Sequence, residues 1–127
     1  MTPAILIIED NPLNFKLAAT VLEHAGYRIL HASDGNEGIA IARHHKPDLI
    51  LMDIQLPGMD GLAATRQLKA DDDTRGIPIV AVTAFAMAGD GDRIRAAGCD
   101  GYIAKPFSYK ELVAQVDSVL GTTLRET

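Results

Sequence analysis

Five short apolar runs punctuate the chain, at Ala4–Ile8, Arg28–Ala32, Leu49–Met52, Ile79–Val82 and Gly101–Ile103. Each has the length of one strand. The first, third and fourth are apolar throughout rather than alternating, as in strands covered on both faces. Between the runs the spacing turns helical. Leu13, Leu17, Val21 and Leu22 share a helix stripe after the first run, and Leu112, Val113, Val116, Val119 and Leu120 share one after the last. Glu37–His45, Leu62–Ala70 and Asp92–Ala97 are shorter helical stretches with polar faces. Asn11-Pro12 reads as an N-cap followed by proline at the first helical position. Gly26, Gly76 and Gly98 are placed to stop three helices, and Pro47 follows another. Strand–helix alternation of this kind predicts an α/β fold, a doubly wound five-stranded parallel sheet wrapped by five helices. A closed barrel needs eight such units.

Composition narrows the class further. A chain of 127 residues, 47% hydrophobic and 23% charged, fits one domain over residues 4–120 with a short polar tail, frayed at 121–127. Its 17 acidic against 12 basic residues, without a Lys/Arg cluster, argue against nucleic acid or an anionic membrane as partner. The single cysteine requires no oxidising compartment, and no apolar run is long enough for membrane insertion. A cytoplasmic location is expected.

In open α/β sheets the functional site lies at the carboxyl ends of the strands. The first strand ends in Glu9-Asp10-Asn11, the third in Asp53, the fourth in Thr83-Ala84 and the fifth in Lys105-Pro106. The second ends in Ser33-Asp34-Gly35, a turn and N-cap only. Acids after a strand also serve as ordinary turn and cap residues. Glu9, Asp10 and Asp53 would nevertheless converge, and like charges a few ångströms apart repel. A hard divalent cation resolves that conflict with all-oxygen ligands, to which the Gln55 carbonyl could add one. Lys105, Thr83 and the cation together suit a group rich in anionic oxygens, such as a transferring phosphoryl. Asp53, ending the most apolar and hence central strand, is the best-placed nucleophile, and an aspartyl-phosphate would result.

Glu9-Asp10, Leu51-Met52-Asp53 with Pro57-Gly58 and Asp60-Gly61, Val82-Thr83-Ala84 and Lys105-Pro106 together resemble the response-regulator receiver domain, whose fold is flavodoxin-like. The likeness runs from about Ala4 to Leu120. Within the family, Lys46–Pro57 and Ile77–Met87 are most similar to free-standing receivers of cell-division control. The resemblance implies that Asp53 takes a phosphoryl group from a partner's phosphohistidine. It implies that Asp10, Asp53 and the Gln55 carbonyl hold Mg2+, for which Mn2+ can substitute, with Glu9 acting through water. Thr83 and Lys105 would bind phosphoryl oxygens, and Tyr102 would be the switch aromatic. Small Ala84 would leave room for the movement, and a cis bond before Pro106 would aim Lys105. Phe85 and Gln55 would tune the lifetime of the aspartyl-phosphate.

The implied partners are a sensor histidine kinase/phosphatase or a histidine phosphotransferase. A downstream protein would read the face built by the fourth helix, fifth strand and fifth helix, with Phe107, Tyr109 and part of Met87–Ile94 in the contact patch. Such a protein is a phosphoacceptor rather than an enzyme. For pathway and output, a phosphorelay intermediate, a chemotaxis-type receiver and a non-phosphorylated interaction module are the alternatives. A flavodoxin-type cofactor binder is disfavoured because Glu9-Asp10 would repel its phosphate. A haloacid-dehalogenase-type phosphatase needs a second Asp two residues after the first, where Gln55 stands.

Asp71-Asp72-Asp73 reads as a solvated loop, His44-His45 as a pair facing a helix C-terminus, and Cys99 as a small buried group. Gly89-Asp90-Gly91 lacks the context of a dinucleotide fingerprint and reads as the flexible start of the fourth helix.

Overall fold

The computed structural model describes residues 2–56, 58–83, 90–105 and 107–125. The expected strands form, with three of them one residue longer at the end: β1 Ala4–Ile8, β2 Arg28–Ala32, β3 Leu49–Asp53, β4 Ile79–Thr83 and β5 Gly101–Ala104. The helices between and after them are α1 Pro12–His24, α2 Gly35–His45, α3 Gly61–Ala70, α4 Asp90–Ala97 and α5 Tyr109–Arg125. All strands run parallel in the order β2-β1-β3-β4-β5, so β3 is central.

Alternation along the strands explains why they are apolar throughout. Leu6, Ile8, Ile50, Met52, Ile79 and Ala81 face one core with Ile39 of α2, Leu68 of α3 and Ile94 of α4. Ile5, Ile7, Leu49, Leu51, Val80, Val82 and Ile103 face the other, with Leu22 of α1 and Leu112, Val116 and Leu120 of α5. A strand lying between two such layers has no polar face to show.

Capping chemistry fixes the helix starts. Asn11 caps α1 by accepting from the Leu13 and Asn14 amides at 2.9 and 3.1 Å. Asp34 accepts from the Glu37 amide while Glu37 reaches back to the Ser33 amide, a reciprocal box that opens α2. Asp60 caps α3 through the Ala63 amide.

Three expectations change. Gly26 and Gly98, with φ of 101° and 109°, follow α1 and α4 as expected, but Gly76 does not end α3. That helix stops at Ala70, with extended Asp71 as C-cap, and the chain turns through residues 72–76 before β4. The α1 stripe is split. Ala18, Ala19 and Leu22 are buried, whereas Leu13 and Leu17 remain 64% and 50% exposed. Finally, α5 continues past Leu120 through Arg125, since extending an established helix adds a hydrogen bond for each residue fixed.

Gly61 is where α3 meets the central strand. A Cβ there would sit 2.6 Å from the Ile54 Cα and against the Asp53 carbonyl oxygen. Backbone cannot yield as a side-chain tip can. Gly61→Ala should therefore destabilise the fold by about 2–3 kcal/mol, as overpacked sites do, measured by urea denaturation.

Candidate phosphoacceptor site

The same alternation that sorts the core also aims the charged residues. Glu9 follows β1 and Asp53 ends β3, both in phase with Ile5, Ile7, Leu49 and Leu51. Lys105, just past β5, is in phase with Ile103. Their side chains meet on the α1/α5 side of the sheet. Lys105 Nζ lies 3.6 Å from Glu9 Oε1 and 3.7 Å from Asp53 Oδ2. Carboxylate oxygens of Glu9, Asp10 and Asp53 all lie within 4.8 Å of one another, the only cluster of potential metal-binding side chains among the described residues. Glu9 and Asp53 are buried and Asp10 is exposed.

Backbone donors hold this arrangement. The Gln55 amide donates to Asp53 Oδ1 at 2.9 Å, and the Asn11 amide donates to Glu9 Oε2 at 3.2 Å. The Ile54 amide donates to the Val82 carbonyl at 3.1 Å and the Lys105 amide to the Thr83 carbonyl at 2.7 Å, extending the ladder past the strand ends. Burial pushes the Glu9 carboxyl up to about 7, helped by its hydrogen bond with Asp53 and by that group's charge. The Asn11 amide and the Lys105 charge pull the other way and lose. Two carboxyls facing each other in a dry setting hold on to a proton.

Beside the cluster, a groove of about 450 Å³ runs between α1 and α5. Glu9, Asp53 and Lys105 line it together with apolar Leu17, Val21 and Phe107. The Tyr27 hydroxyl, just after α1, donates to Asp117 midway along α5. Burial and that acidic partner both raise the Tyr27 pKa.

The structure therefore brings Glu9, Asp10, Asp53 and Lys105 together, with Gln55 exposed in the adjoining loop. Thr83 ends β4 fully in the protein, 3% exposed, on the strand phase that faces α3 and α4. Tyr102 shares that phase on β5, paired with Ala81, while Thr83 pairs with Ala104. The Tyr102 ring stands outward, 36% exposed, with the Arg95 guanidinium 5.7 Å from its centroid. Pro57, Ala84, Phe85, Met87, Gly89 and Pro106 lie outside the described residues.

The features set aside in the sequence take ordinary structural roles. Asp71 pairs with Arg43 at 2.6 Å, and the Asp73 amide followed by Arg43 holds its carboxyl below the usual range. Cys99 is buried, which pushes its thiol pKa up, and its Sγ donates to Thr65 Oγ1 at 3.8 Å. The His44 and His45 rings meet edge-on at 6.2 Å. Asp60-Gly61 stood in the sequence only as part of the family motif, and the structure gives Gly61 its packing role against the Asp53 carbonyl. Sequence reasoning passed over His31, whose Nε2 lies 3.0 Å from the Glu9 carbonyl oxygen. His31 left no signal, because a histidine in an edge strand looks like any solvent-facing residue.

A family model for the response regulator receiver domain matches residues 5–117. The chain belongs to the response-regulator receiver family, phosphorylation-based signalling domains of two-component systems. Among individual proteins it is similar to the polar-differentiation response regulator DivK of Brucella anthropi, with 50% identity over 121 residues covering 95% of this chain and 98% of that one. A response regulator from Chloroflexus aurantiacus superposes with a TM-score of 0.91 at 30% identity, covering 95% of this chain and 99% of the other. The receiver domain of a sensor histidine kinase from Pseudomonas aeruginosa, with magnesium coordinated in its active-site cleft, gives 0.88 at 38% identity over the same shares.

Because Glu9 binds its proton more tightly folded than unfolded, stability without metal should fall as pH rises from about 4.5 to about 7 and then level off. Thermal melts in chelator across that window check this. Glu9→Gln, which cannot ionise, should flatten the slope.

Proposed function

We propose that this chain is a response regulator whose Asp53 accepts a phosphoryl group from the phosphohistidine of a sensor histidine kinase or a histidine phosphotransferase. The observation that carries the reading is the meeting of Asp53, two further carboxylates and Lys105 at the end of the central strand. An Asp53 carboxylate oxygen attacks phosphorus. A P–O bond forms as the P–N bond breaks, the imidazole leaves and takes a proton from solvent, and an aspartyl-phosphate remains. Lys105 then faces phosphoryl oxygens, and Thr83 supplies a hydroxyl from the neighbouring strand end.

The donor set suits a hard cation, being oxygen only and rich in negative charge. Asp10, Asp53 and the Gln55 carbonyl would hold Mg2+, with Glu9 acting through water, and Mn2+ would fit the same ligands. When bound, the ion supplies positive charge against which phosphoryl oxygens and carboxylates can coexist. The module turns over no substrate of its own, and its chemistry beyond phosphotransfer is slow self-dephosphorylation.

Thr83 and Tyr102 share one sheet face, which supports a switch in which movement of the Thr83 hydroxyl toward the phosphoryl group frees space for the Tyr102 ring. The face of α4, β5 and α5 is then the surface a downstream protein reads. The phosphodonor approaches along α1, where half-exposed Leu17 gives an apolar border to the groove that Asp53 lines. The likeness to DivK supports a role in cell-cycle control or polar differentiation. No helix among the described residues is long and apolar enough to cross a membrane, in keeping with a cytoplasmic site of action.

Acetyl phosphate or a phosphorylated kinase with Mg2+ should leave an acid-stable, base-labile adduct on the native chain and none on Asp53→Asn. An undiminished adduct on the variant overturns the assignment of Asp53, and no adduct on either points to a non-phosphorylated module. Leu17→Asp should slow transfer from a phosphorylated kinase at least tenfold while leaving labelling by acetyl phosphate unchanged. Stability should fall by only about 1 kcal/mol, because Leu17 is half exposed.

A further inference from the structure

The parallel ladder between β1 and β2 runs out beside the carboxylate cluster. Ile8 pairs with Ala32, and the Glu9 amide still finds the Ala32 carbonyl at 2.9 Å. A parallel ladder would next offer the Glu9 carbonyl an amide from the turn beyond Ala32. There the chain leaves the sheet, and Asp34 becomes the N-cap of α2. The donor comes instead from a side chain. His31 Nε2 lies 3.0 Å from the Glu9 carbonyl oxygen. A carbonyl only accepts, so this nitrogen carries the proton. The ring is braced from the other side by Phe15 of α1, stacked at 3.7 Å between centroids and 18° between planes.

The bond acts on the Glu9–Asp10 peptide, a rigid plane whose orientation sets where the next Cα and side chain point. Asp10 is the exposed member of the cluster, so its direction depends heavily on the backbone that presents it. Glu9 is held at its amide by Ala32, at its carboxylate by the Asn11 amide, and at its carbonyl by His31. Of these, only the His31 contact fixes the peptide that carries Asp10.

We propose that His31 is a positioning residue for the cation site: its Nε2–H pins the Glu9–Asp10 peptide and thereby pre-arranges Asp10 beside Asp53. The proposal rests on the reading of Glu9, Asp10 and Asp53 as that site. A ligand loop fixed in advance loses less freedom when the ion arrives, so affinity rises without a new contact. His31 touches no ion and no phosphoryl group itself.

The test uses two substitutions of similar length on the full chain, His31→Met without a donor and His31→Gln with one. Calorimetric titration with Mg2+ should show roughly three- to tenfold weaker binding for His31→Met, the loss of one partly exposed hydrogen bond. His31→Gln should recover affinity to within about twofold of the native chain. Amide exchange in the metal-free proteins gives a second readout. The Asn11 amide, which donates to Glu9 Oε2 just past Asp10, should exchange several-fold faster in His31→Met and at the native rate in His31→Gln. Native affinity in His31→Met overturns the proposal, as does a His31→Gln variant as weak as His31→Met. If the native chain binds no Mg2+, the reading of the cluster as a cation site fails first and this proposal falls with it. The two failures are thus told apart.

Discussion

Three carboxyl groups are forced together at the end of two strands, and a single lysine offsets them imperfectly. Glu9 and Asp53 are buried, so their repulsion is not dissolved by water, and Lys105 stands beyond ideal hydrogen-bond length from both. Burial first, and then the Asp53 carboxyl beside it, push the Glu9 pKa up to about 7. Around this point the structure supplies backbone donors, from Gln55, Asn11 and the extended ladder, that hold the acids in place without neutralising them. Such a site is unsatisfied by construction. Added positive charge relieves it, and a phosphoryl group on Asp53 is accommodated once that charge is there.

The sheet makes this strain tolerable. Asp53 ends a strand with neighbours on both sides and a helix layer on each face, so its backbone cannot drift away from Glu9. Gly61 adds to the confinement by letting the start of α3 rest directly on the Asp53 carbonyl. Among the described residues no buried side-chain polar atom lacks a hydrogen-bond partner. The electrostatic conflict is therefore local, set within a framework that is otherwise satisfied.

Much of this was legible in the sequence because the strands carry both of its strongest signals. Uninterrupted apolar runs marked their positions, and the polar residue after each run marked the site. Helix faces were less legible. Leu13 and Leu17 have the spacing of a buried stripe, yet α1 lies over the sheet at an angle of rotation that buries Ala18 and Ala19 instead. Periodicity defines a stripe but not what covers it. Gly76 had the chemistry of a helix stop, but Asp71 ended α3 earlier by turning extended. His31 was illegible for a deeper reason, since its role depends on where a neighbouring strand's ladder expires, which is a property of two segments in register.

Strand alternation leaves one more consequence. Glu9, Asp53 and Lys105 project toward α1 and α5, whereas Thr83 and Tyr102 belong to the phase that faces α3 and α4. Adjacent residues on neighbouring strands thus open onto opposite sides of a layer one residue thick. A protein gripping the border at Leu13 and Leu17 and another gripping the outward ring of Tyr102 would stand back to back, with the sheet as a shared partition. Whatever passes between those two faces has only the width of that partition to cross.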